Sequence, residues 1–123
     1  MDLKPDAKGD YFTLISEADE VSIVQSGFEK GMELALIEPI PVGKQAANDL
    51  IVMHTEISRH ARSIHVNARQ ARRLGNMIKR ASEKQSPDRR KKWIAVAGEI
   101  DYHLTIFEGL EIPVDISELN NIS

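Results

Sequence analysis

From Leu50 onward, apolar residues recur every seven positions, at Leu50, Ile57, Ile64, Ala71 and Ile78. A second row, three residues behind each of these, reads Met53, His60, Asn67, Leu74 and Ala81. A repeat of seven sustained this far is what a helix needs in order to lie along another helix, and it predicts one long helix over 45–84. Gln85-Ser86-Pro87-Asp88 ends it. Ser86 suits an N-cap, Pro87 the first helical position and Asp88 the positive end of a helix dipole, so the same residues start a return helix over 87–110. That segment carries Trp93, Ile100 and Phe107 seven apart, with Val96, Ala97, Leu104 and Leu110 beside them.

The N-terminal part has a different texture. Residues 1–10 hold Pro5, Gly9 and three aspartates, and read as a flexible lead. Tyr11 to Ile15 suits a strand or a short apolar anchor. Val21, Val24, Phe28, Met32 and Leu36 then recur at three or four, which predicts an amphipathic helix over 17–37, started by Ser16 and the acids behind it. Gly27 and Gly31 weaken that helix by about 1 kcal/mol each, and a rival reading takes 21–25 and 32–37 as strands. Two prolines make 38–43 a connector. Residues 111–123 form a tail.

The expected architecture is therefore all-α in a single domain: a long central helix and a shorter C-terminal helix in an antiparallel hairpin, with a further N-terminal helix. A helix over 45–84 is about 58 Å long and its return partner only about 34 Å. The early seam of Leu50, Met53, Ile57, His60, Ile64 and Asn67 thus needs other cover. The N-terminal helix supplies it in a three-helix bundle; a second copy supplies it in a dimeric, coiled-coil-like bundle. Polar seam residues such as His60 and Asn67 are used to fix register or oligomer state.

Composition adds a boundary and charge adds a function. With 41% apolar and 28% charged residues the chain falls among soluble globular proteins, and no apolar run approaches the roughly 20 residues of a membrane span. The start Met1 to Asp6 lacks the basic and apolar stretches of a secretory signal, so a cytoplasmic location is expected. The net charge of -3 conceals a strong segregation. Residues 57–92 hold twelve bases and two acids, the preceding residues four bases and eleven acids, and the following residues six acids and no base.

On the expected long helix, Arg59, Arg62, Arg69, Arg72, Arg73, Lys79 and Arg80 all turn away from the seam, with almost no acid three or four residues off to neutralise them. Lys84 and the run Arg89-Arg90-Lys91-Lys92 add cations at the hairpin tip. This surface suits phosphate, above all a nucleic-acid backbone. The competing readings are a helical adaptor, chaperone or inhibitor whose basic face contacts an acidic protein or drives oligomerisation, pairing with the chain's own acidic blocks or an acidic face of another subunit, and a solvated face. Trp93-Ile94 after the basic run permits membrane-surface contact, but Trp93 is in phase with the core row and no membrane role is expected.

Other chemistry is thin. Ala71 to Asn76 has the outline of a helix-turn-helix turn at Gly75, against which the sevenfold register runs through unbroken. Glu56 and His60, and Glu99 and His103, are each four apart, as metal ligands on one helix face would be, but the hairpin keeps the two pairs roughly 12 Å apart. Seam histidines bonded to carboxylates are the simpler reading. Without a phosphate loop, a nucleophile elbow or a cysteine, the expectation is a non-enzymatic protein with no cofactor and no metal.

Overall fold

The computed structural model describes residues 1–6, 11–37, 43–60 and 62–122, with side chains through residue 35 in the first helix and residue 107 in the last. Its elements are β1 (Asp2–Pro5), β2 (Tyr11–Ile15), α1 (Ala18–Ile37), α2 (Lys44–Arg59), β3 (Ser63–Asn67), α3 (Ala68–Ser82) and α4 (Pro87–Ile122). This is a mixed α+β fold; the all-α and coiled-coil expectations are wrong. The strands form one antiparallel sheet in the order β1-β2-β3.

The long helix over 45–84 does not exist. It is two helices with a strand between them. Ser63 to Asn67 alternates, with Ile64 and Val66 buried and Ser63 and His65 exposed, which is the period of a half-buried strand. Ile64 fits the sevenfold row only because it too points into the core. α2 ends at His60, whose φ of -130° and ψ of 51° leave the helix. α3 then starts on a capping box: the Asn67 side chain accepts the Gln70 amide at 2.8 Å, and the Gln70 side chain accepts the Asn67 amide at 3.1 Å. His60 and Asn67 are thus boundary residues rather than seam residues. From Ala68 to Ser82, α3 runs unbroken past Gly75, which rules out a turn there.

Of the expected flexible lead over 1–10, residues 2–5 form a strand, and 7–10 lie outside the described residues. β1 pairs with β2 in the register Leu3 to Leu14 and Pro5 to Phe12, because Leu3 packs against the core that Phe12 and Leu14 form. β2 pairs with β3 through Phe12 to Val66 and Leu14 to Ile64. Several amides on the two outer strands are already bonded within the chain. On β1, the Leu3 amide bonds Asp2 Oδ1 at 2.8 Å and Pro5 has no amide hydrogen. On β3, the amides of Ser63, His65 and Asn67 are taken by the His60 carbonyl, a Glu56 carboxylate oxygen and the Gln70 side chain.

α3 is the central helix, packed on α1 and on α4. Residues 21–25 and 32–37 lie within α1, so the strand alternative is not realised. Its two glycines have a structural use. A Cβ at Gly27 would meet Ile78 Cγ1 at 2.7 Å, and one at Gly31 would meet Met77 Cβ at 2.6 Å. Only a bare backbone lets α1 approach α3 this closely. Trp93, Val96, Ala97, Ile100, Leu104 and Phe107 of α4 complete the core against Ala71, Leu74, Ile78 and Ala81 of α3 and against Phe12, whose ring centroid lies 5.0 Å from that of Phe107. Helix α4 continues to Ile122, past the expected end at 110 and into the expected tail over 111–123. The expected connector over 38–43 lies outside the described residues except for Gly43, which precedes α2.

Candidate anion-binding surface

The outward side of α3 carries Arg69, Arg72, Arg73, Asn76, Lys79 and Arg80, exposed or half-buried opposite the row Ala71, Leu74, Ile78 and Ala81. At 1.5 Å per residue, Arg69 to Arg80 spans about 17 Å. Lys84 stands exposed in the turn, in a depression it shares with Lys30 and Glu33 of α1, and Arg89, Lys91 and Lys92 stand exposed on the first turns of α4. Cations there oppose the helix dipole, at a cost of about 0.3–1 kcal/mol each.

Two of the arginines are anchored. Asp49 of α2 is only 1% exposed, yet it is charged. Arg69 Nε donates to Asp49 Oδ2 at 2.8 Å and an Arg69 terminal nitrogen donates to Oδ1 at 2.9 Å. Arg73 Nε donates to Oδ2 at 3.1 Å, and Gln70 Nε2 to Oδ1 at 3.3 Å. The hydrogen bonds from Arg69, helped by Gln70 and Arg73 and opposed by burial, lower the Asp49 carboxyl from 3.8 to about 2. The same contact raises Arg69 above its ordinary value. A guanidinium has five N–H donors, so Asp49 fixes the stem of each arginine and uses only part of its donor set.

Asp49 was not among the expected site residues. A signal for it existed: it occupies the first place in the buried row Asp49, Met53, Ile57 of α2, and a carboxylate on an apolar stripe requires a partner.

The remaining expected residues separate by role. Arg90 is a capping residue, with its guanidinium 3.3–3.5 Å from the carbonyl oxygens of Ser82, Glu83 and Gln85 at the end of α3. Lys92 lines a depression with Asp19, Glu20 and Glu99. Arg59 ends α2 and Arg62 lies in the turn before β3, both exposed and not on the α3 side. In the expected seam, Met53, Ile57 and Ile64 are buried core and Leu50 is half-buried, while His60 is exposed. That seam is therefore mostly covered by the chain's own fold.

The histidine pairs are used locally. Glu56 accepts the His65 amide at 3.5 Å, and His103 Nε2 lies 2.9 Å from the Met1 carbonyl oxygen. Among the described residues, no group of three or more His, Asp or Glu side chains is placed to hold a metal. His65 Nε2 lies 2.6 Å from Asp6 Oδ2, and its ring stacks on Tyr11 at 5.0 Å on the outer face of the sheet. No helix among the described residues is long and apolar enough to cross a membrane.

Comparison with known proteins finds no matching family model, curated protein or solved structure. Function therefore rests on the chain's own residues.

Proposed function

We propose that this protein is a non-enzymatic binder of a polyanion, the phosphate backbone of nucleic acid, through the outward side of α3 and the tip of the α3–α4 hairpin. The observation that carries this reading is the exposure of Lys79, Lys84, Arg89, Lys91 and Lys92 around the end of α3 and the start of α4, where the exposed acids are Glu83 and Asp88. A cluster of this size meets repeated charge, and nucleic acid presents one phosphate about every 3.4 Å along each strand. Arginines held by the buried Asp49 add to the fit, because anchored guanidinium groups lose less freedom on binding. The unfavourable placement of cations at the start of α4 supports the same reading.

Fluorescence anisotropy with labelled duplex and single-stranded oligonucleotides tests it. Combined Lys79→Glu, Lys84→Glu and Lys91→Glu substitution lies outside the core and is expected to weaken binding by about a hundredfold or more at low salt. Circular dichroism checks that the variant is folded. Unchanged affinity in a folded variant would place the binding surface elsewhere. Binding to an acidic polypeptide but not to either oligonucleotide would move the assignment to an acidic protein partner.

A further inference from the structure

Resting on the nucleic-acid reading above, we propose that the outer face of the sheet stacks an unpaired base of single-stranded nucleic acid on Tyr11 and His65, beside the start of α3. The alternation that buries Phe12 and Leu14 in β2, and Ile64 and Val66 in β3, turns Tyr11, Thr13, His65 and Asn67 to the opposite face. There the Tyr11 and His65 rings lie nearly parallel, at an interplanar angle of 18° with centroids 5.0 Å apart. Tyr11 is 39% exposed and the His65 side chain 47%, so this pair offers ring surface that the core does not use. The pair is also held in place. His65 Nε2 lies 2.6 Å from Asp6 Oδ2, which fixes the imidazole plane against the tyrosine.

The charges around the rings identify the occupant. Lys4 pairs with Thr13 and Thr13 with His65, so an exposed lysine stands on the same face about 10 Å, or two strand spacings, from the histidine. Arg69 stands near the tyrosine: its guanidinium is raised chiefly by Asp49 and in smaller part by Tyr11. Asp2 and Asp6 are each engaged within the chain, Asp2 by the Leu3 amide and Asp6 by His65. Exposed rings flanked by cations match a flat ring carried on a phosphate backbone, which is what a nucleotide within a strand presents. A duplex keeps its bases paired and stacked on one another, so the rings serve an unpaired base. The cationic side of α3 begins at Arg69, beside these rings, and leads to the hairpin tip, so one strand can meet both.

Fluorescence anisotropy compares a labelled oligothymidylate of about twelve nucleotides with an abasic deoxyribose-phosphate strand of the same length, which keeps the phosphates and lacks the rings. The base-bearing strand is expected to bind at least about fivefold more tightly. Tyr11→Leu keeps an apolar side chain and removes the ring; it should abolish that difference while leaving duplex affinity and its salt dependence unchanged. Tyr11→Phe should retain the difference. Equal binding of the two strands by the unaltered protein would overturn the stacking site, and this comparison decides the matter even where Tyr11→Leu fails to fold. A difference that survives Tyr11→Leu in a folded variant would overturn it equally. Either result leaves the backbone surface to be judged by the lysine variants, whereas no binding of either strand or of duplex at low salt would overturn both.

Discussion

Asp49 shows how one residue sets both stability and charge in this protein. A buried carboxylate bonded by Arg69, Gln70 and Arg73 joins α2 to α3. Its folded pKa, about 2, is below the ordinary 3.8. A depressed carboxyl contributes stability that is complete above the unfolded value and is lost as pH falls through the folded one. Allowing for solvent around the exposed arginines, that contribution is about 1–2 kcal/mol. Asp49→Asn is expected to lower stability at neutral pH and to flatten the loss between about pH 4 and pH 2. Urea unfolding at a series of pH values measures both effects, and an unaltered acid slope would show that another carboxylate carries it. Reversing Arg69 or Arg73 would strand Asp49, so those two positions are poor probes of ligand binding.

The glycines of α1 belong to the same scale. Gly27→Ala or Gly31→Ala would ordinarily favour a helix by about 1 kcal/mol. Here the added methyl meets Ile78 or Met77 below 3 Å, and a net loss of about 1–3 kcal/mol in thermal or urea unfolding is expected. Gly75→Ala is the control, because its Cβ would find neighbours no closer than 3.5 Å, and it should be neutral or stabilising.

Among the elements, the instructive one is β3. Its removal from the expected long helix rests on two cues present in the sequence: alternation across Ser63-Ile64-His65-Val66-Asn67, and Asn67 with Gln70 three residues later as a capping box. The sevenfold row masked both, since strand residues and helix residues facing one core can fall on a shared period for five positions. Asn67→Ala should cost about 1 kcal/mol in chemical denaturation, which would identify the cap as the start of a separate helix. No loss would mean that Asn67 is not a working cap.

The α3–α4 boundary was readable because Ser86-Pro87-Asp88 gives a local signal. β1 was not, since Leu3 becomes apolar core only when Leu14 lies opposite it. Of the candidate site, the exposed lysines were legible from charge alone. The division between Arg69, Arg73 and Arg90, which bond within the chain, and the outward lysines needed the fold.

For the whole molecule, the segregation of charge along the chain becomes a segregation in space. The acidic start of α1 lines one depression with Lys92, and Asp49 meets two arginines, while Lys79, Lys84 and Lys91 are exposed. The molecule's two outward helical sides differ: α3 is cationic, and the exposed residues of α4 mix Lys91, Ile94, Glu99, Asp101 and Tyr102. The central claim concerns the first of these. The measurement that tests it most directly is the dependence of nucleic-acid affinity on salt. If the α3 side and the hairpin tip contact about three to five phosphates, log affinity for duplex should fall linearly with log salt, with a slope of about -3 to -4.5. The slope should shrink by about 1 for each engaged lysine that is removed. A flat salt dependence, or no binding to either duplex or single strand at low salt, would contradict the account.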